Sequence, residues 1–172
     1  KYFMMLMVAF VTLSCSKKIE VTGNFAGGSP LERIEFIEAS GVATLPLTNI
    51  GVDEKGSFSG SFEAPKDGMY IMSYAGKTAM IYLKGGQKFH ISGKAENFPT
   101  QFTITGDAKN NNDFLKNITE FIQGYATKIN VGEKKKKKED QFIVAIKKIQ
   151  SDIEKNIDES AKKTSADAEV VT

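Results

Sequence analysis

The amino-acid sequence predicts a mainly β protein with C-terminal helices: an antiparallel β-sandwich followed by an amphipathic helical segment. Three observations carry this expectation. From Ile19 to Gly106 short segments alternate apolar and polar residues between glycines, the pattern of strands joined by tight turns. Near Gly106 the apolar period changes from two to three or four, which is helical. No helical pattern interrupts the strand region, which argues against βαβ units and a nucleotide-binding sheet.

The strands follow in order. In KIEVTGNF, Ile19, Val21 and Phe25 share one parity, and RIEFIEA begins a second strand with Ile34 and Phe36. GVATLPLTNIGV supplies one or two more, with Pro46 forcing an edge or a bend. GSFSGSF sets Phe58 and Phe62 on one face. GMYIMSYA and TAMIYLK come next, KGGQ from Lys84 to Gln87 reads as a hairpin, and KFHISG and QFTITG complete the set. Roughly seven to nine strands spaced about ten residues apart fit a sandwich or barrel. Parity assigns Phe58, Phe62, Tyr70, Ile81, Leu83, Phe89 and Ile91 to its core.

Beyond Gly106, Phe114, Ile118, Phe121, Ile122 and Tyr125 form one amphipathic stripe, with Asn111, Asn112 or Asp113 as its N-cap. Phe142, Ile146, Ile149, Ile153 and Ile157 form a second. Gly132 and the run Lys134 to Lys138 separate them. The chain holds 23 basic and 21 acidic residues, a net charge of +2, and the lysine run accounts for the excess. No arginine or aromatic residue is interleaved with that run, so it reads as a solvated helix start or linker, and no nucleic-acid partner is expected.

Candidate chemistry is sparse. His90 shares a parity with Lys88 and Ser92, on the solvent face of a strand, and no acid or nucleophile is spaced to serve it. FAGGSP, from Phe25 to Pro30, lacks the lysine and helix of a phosphate loop and reads as a strand connection. VDEKGSF lacks the ligand spacing of a calcium loop, and a hairpin turn accounts for Asp53 and Glu54. Cys15 is the only cysteine, which excludes an internal disulfide or a dithiol centre. With His90 it falls short of the four or so ligands of a structural zinc site. No catalytic residue, metal site or cofactor is expected.

The setting of Cys15 is more informative. Tyr2 to Leu13 carries no charge and follows Lys1; it is shorter than the roughly 20 residues of a spanning helix and fits the apolar region of a secretory signal peptide. Small Ser14, then Cys15, then polar Ser16-Lys17-Lys18 resembles the lipobox of bacterial lipoproteins, although Thr12 stands where leucine is usual. The resemblance implies cleavage before Cys15 and lipid on its sulfur; the alternative is an incidental cysteine in a leader or anchor. Ser16 to Ile19 lacks the acidic pair that resembles a surface-export signal, so the expected location is the cell envelope, lipid-anchored and facing the periplasm. The resulting division is a signal peptide at 1–14, a lipidated linker at 15–18, a β-sandwich at 19–106 and a helical segment at 107–172. Lys1 is not a methionine and SADAEVVT ends without a closing turn, so a fragment of a longer protein is expected.

Three spaced elements resemble a domain of unknown function in Gram-negative envelope lipoproteins. Asp53, Gly56, Phe58, Gly60, Pro65 and Tyr70 carry the first. Leu83, Gly86, Phe89, Ile91 and Gly93 carry the second, and Thr105, Gly106, Asn110 and Phe114 the junction into helices. The likeness covers residues 19 to about 125. In many members of that family the domain and its helices precede a thioredoxin-like module of the TlpA/ResA or AhpC/TSA type, whose W-C-x-x-C centre reduces disulfides. This chain has no tryptophan and one cysteine, so no redox residue carries over. The resemblance implies a non-catalytic anchoring and accessory region of a membrane-tethered disulfide reductase, with the missing thioredoxin-like module as its partner. A stand-alone envelope lipoprotein whose sandwich binds a protein or glycan is the alternative.

Overall fold

Alternation in the first strand turns Ile19, Val21 and Phe25 to one side, and all three are fully buried. The computed structural model describes residues 18–39, 45–132 and 139–171, with side chains described outside 125–143 and 145–146. Cys15 and the run Lys134 to Lys138 lie outside the described residues. The strands are β1 (Lys18–Ala26), β2 (Arg33–Glu38), β3 (Thr48–Gly51), β4 (Ser57–Glu63), β5 (Gly68–Tyr74), β6 (Lys77–Leu83), β7 (Lys88–Lys94) and β8 (Phe102–Gly106). They form two four-stranded sheets ordered β4-β1-β7-β8 and β3-β2-β5-β6. The mainly β sandwich is as the sequence predicts, and β3 with its nearby Pro46 is indeed an edge strand.

Three details of the strands and turns differ from expectation. β1 and β7 pair in parallel, Val21 beside Phe89 and Gly23 beside Ile91, so the first sheet is mixed. Side-chain parity is the same in both pairing modes, so alternation alone does not distinguish them. KGGQ is not a hairpin, because it carries the chain from β6 in one sheet to β7 in the other. Within it the Lys84 N–H donates to Gln87 Oε1 at 2.9 Å. The true hairpin joins β5 to β6 through Ala75 and Gly76, whose φ values of 50° and 71° match the twist of a two-residue turn. The Asp53–Gly56 turn likewise links the two sheets rather than a hairpin, with Asp53 Oδ1 accepting from the Lys55 and Ser57 N–H groups at 2.8 Å.

Aromatic rings knit the sheets together. Phe25 of β1 stacks on Tyr74 of β5 at 4.7 Å, and Phe36 of β2 stacks on Phe62 of β4 at 4.8 Å. Gly23 lies directly opposite Phe58 across β1 and β4. A Cβ on Gly23 would come within 2.1 Å of the Phe58 ring, so the ring occupies the space a side chain would need. All seven residues assigned to the core by parity are buried.

The helices are α1 (Lys109–Gly132), α2 (Glu139–Thr164) and the short α3 (Ala168–Val171). α1 packs on β6, β8 and α2. Phe114 is buried, but Ile122 is exposed and does not join the stripe. The helix begins at Lys109, so Asn111, Asn112 and Asp113 lie within its first turns rather than capping it.

Phe58→Ala removes a ring from between the sheets and is expected to cost about 3–5 kcal/mol in a urea titration. An unchanged midpoint would contradict its place in the core.

Candidate functional site

A polar cluster of tertiary origin forms where α1 meets the end of β6. Tyr82 of β6 is buried although its parity points it out of the core, because α1 covers that position. β6 is an edge strand, and the Tyr82 backbone groups face away from β5. Asn112 meets them as a neighbouring strand would: the Tyr82 N–H donates to Asn112 Oδ1 at 2.9 Å, and Asn112 Nδ2 donates to the Tyr82 carbonyl at 2.9 Å. The second Nδ2 hydrogen goes to the Ala108 carbonyl at 2.7 Å. Both amide hydrogens and the amide oxygen are therefore engaged in a buried setting.

Asn111 performs the parallel task for the C-terminal segment. Its Oδ1 accepts from the Asp167 N–H at 2.8 Å, and its Nδ2 donates to Asp167 Oδ2 at 2.8 Å. Lys84 Nζ lies 3.2 Å from Asp167 Oδ2 and 3.3 Å from Glu169 Oε2. The Tyr82 hydroxyl donates to Glu169 at 3.4 Å. A cleft of about 500 Å³ opens beside this cluster, lined by Asp67, Gly68, Met69, Tyr82, Leu115, Glu169 and Val170.

The electrostatics of the cluster favour holding over catalysis. The Asn111 amide, and then Lys84, hold the Asp167 carboxyl below the usual aspartate range. The hydrogen bonds Lys84 donates to the Asp167 and Glu169 carboxylates push it up. Burial, reinforced by the Glu169 charge, pushes the Tyr82 phenol up. Each shift deepens the charge state the group already has at neutral pH, whereas general acids and bases are tuned toward it. The cluster is a clamp that fixes α1 and α3 to the sheet.

His90 is exposed on the outer face of the first sheet, as its parity predicts, and its Nδ1 lies 2.9 Å from Thr22 Oγ1. Register places Ser59, Thr22, His90 and Thr105 in one row across β4, β1, β7 and β8. Ser57, Asn24, Ser92 and Thr103 make the next row, giving a face of short, mostly uncharged hydrogen-bonding groups. Among the described residues no group of three or more His, Cys, Asp or Glu could hold a metal ion, and no helix is long and apolar enough to cross a membrane.

Sequence reasoning singled out Asn111 and Asn112 for the wrong task and missed Lys84, Asp167 and Glu169. The signal available was the run Asn110 to Asn112 at the onset of helical periodicity, since asparagine is a poor helix former and needs a tertiary reason to sit inside one. No family model matches the chain, and no curated protein is similar to it.

Asn112→Leu strands two backbone groups of Tyr82 and is expected to destabilise the fold by about 1–3 kcal/mol in chemical denaturation. Docking of α3 should also depend on pH. Asp167 has a lowered folded pKa, so its contribution is present above the unfolded value of about 3.9 and is lost as pH falls through the folded one. Lys84 has a raised one, so its contribution is present below about 10.4 and is lost as pH rises past the folded value. Protection of the 168–171 amides, relative to the unstructured exchange rate at the same pH, should therefore fall below about pH 4 while the core amides keep theirs.

Proposed function

We propose that this chain is the non-catalytic anchoring and accessory region of a membrane-tethered thiol-disulfide oxidoreductase of the TlpA-like, thioredoxin-related kind. In this reading lipid on Cys15 holds the protein to an envelope membrane, facing the periplasm. The sandwich and helices position a redox module, or the substrate that module reduces. The observation that supports the reading best is the clamp: Asn111, Asn112 and Lys84 fix the helical segment to the sandwich as one spacer, with their partners held in resting charge states. The residues behind the family resemblance serve as turn and core elements: Asp53 and Gly56 in a turn, Phe58, Tyr70, Leu83, Phe89 and Ile91 in the core.

A second reading, a stand-alone lipoprotein that binds a glycan or protein, draws support from the hydroxyl-rich outer face around Thr22 and His90. The codons that follow Thr172 separate the two. A strand-rich continuation containing W-C-x-x-C supports the redox reading, and an immediate stop codon removes it.

Anchoring has its own test. One acyl chain gives an association constant of only about 10⁴ M⁻¹, so stable tethering takes more than one. Cys15→Ala is expected to move the protein out of the membrane fraction or to leave its leader uncleaved. An alanine variant that matures and fractionates like the parent would exclude an anchoring role for the thiol.

A further inference from the structure

A strand at the edge of a sheet exposes backbone donors and acceptors, and proteins cover or charge such edges because they template pairing with other chains. The other edges are short, contacted by a helix or polar. β3 has four residues, β8 is contacted by α1, and β4, tied at its corner to the β3 end by the Asp53 N–H to Ser57 carbonyl bond at 2.8 Å, faces outward with Ser57, Ser59 and Ser61 rather than with an apolar residue. β6 is managed only at its ends. Asn112 fills the place of a strand partner at Tyr82, and at the other end Lys77 Nζ reaches the Glu96 carbonyl at 3.3 Å.

Between these closures lies Thr78-Ala79-Met80. In an antiparallel pair, residues whose backbone groups face the neighbour alternate with residues whose groups face away. Tyr82 faces away from β5, as its bonds to Asn112 require, so Met80 and Thr78 face away too. Among the described residues nothing pairs with their backbone groups. Met80 is also 60% exposed, and it is the one large exposed hydrophobic side chain on a strand among the described residues. It ends an outward-facing apolar row, Ile37–Ile71–Met80, that runs across β2, β5 and β6 in register.

We propose that the Thr78–Met80 window of β6 takes an extended segment of unfolded polypeptide by strand addition. Four backbone hydrogen bonds, to the N–H and C=O of Thr78 and Met80, supply sequence-tolerant affinity. An apolar side chain beside Met80 extends the Ile37–Ile71–Met80 row. The window spans about 10 Å at 3.3 Å per residue, enough for one short strand. A second copy of this chain fits less well, since its β6 brings the same α1 and Lys77–Glu96 closures to the contact, and a lone extended segment brings neither. The site goes beyond the accessory role proposed above and does not rest on it, because no redox module or lipid takes part.

The test uses the full chain with reduced, carboxymethylated α-lactalbumin as a permanently unfolded probe, read by amide hydrogen exchange. Without probe, Thr78 and Met80 should exchange faster than Ala79 and Ile81, which face β5. With saturating probe the first two should slow by about tenfold or more while the rest of β6 is unchanged. Met80→Pro removes one outward N–H at a position where an edge strand tolerates proline, and should weaken probe binding by about tenfold or more with core protection retained. Met80→Lys keeps the N–H but places a charge on the apolar row, and should also weaken binding. Unaltered exchange at Thr78 and Met80 with probe present would overturn the proposal. So would protection of both amides that rises with protein concentration alone, since a second copy would then occupy the edge.

Discussion

A buried carboxamide must place two donors and an acceptor or it destabilises whatever surrounds it. Asn112 meets that constraint in a single geometry, spanning the backbone of Tyr82 on one side and the Ala108 carbonyl on the other. The arrangement fixes where α1 starts, how it leans on β6, and why Tyr82 is buried against its own parity. From it follows the position of Asn111 one residue earlier, which grasps Asp167 and returns the C-terminal segment to the sheet. A strand edge, two helices and a terminal turn thus depend on two adjacent side chains of a type that disfavours helices.

The same interaction defines the exposed part of the edge. A strand partner would have covered β6 along its length, whereas one amide covers one residue. What remains at Thr78 and Met80 is a short, bounded row of backbone groups beside an apolar surface, and its shortness suits a transient contact better than a permanent one. The first sheet presents the opposite character on its outer face, with rows of serine, threonine and asparagine around His90. The sandwich therefore carries one apolar row, Ile37–Ile71–Met80, on the outer face of the second sheet and hydroxyl-rich rows on the outer face of the first, with the core aromatics between the two sheets.

The core follows from local chemistry. Period-two alternation places Ile19, Val21, Phe25, Phe58, Phe62, Phe89 and Ile91 inward whatever the pairing, because successive Cβ atoms point to opposite faces of any strand. Glycine and aspartate at the turns act through their own φ and through hydrogen bonds a few residues away, so turns at Asp53–Gly56 and Lys84–Gln87 were legible in the residues themselves. The period change near Gly106 marked the helices for the same reason.

Which strand pairs with which was settled at longer range. KGGQ turns the chain tightly in either case, and only the closure of two sheets around Phe25, Tyr74, Phe36 and Phe62 sends β7 to lie parallel to β1. The roles of Asn111, Asn112, Lys84 and Asp167 were settled there too. The partners that set these roles, Tyr82 for Asn112 and Asp167 for Asn111 and Lys84, lie 30, 56 and 83 residues away along the chain, and neither periodicity nor spacing encodes a hydrogen bond across such separations. The sequence by itself determined the strand faces, the turns and the helical switch, because those depend on neighbours within a few residues; the parallel pair, the clamp and the open edge exist only once distant segments have packed.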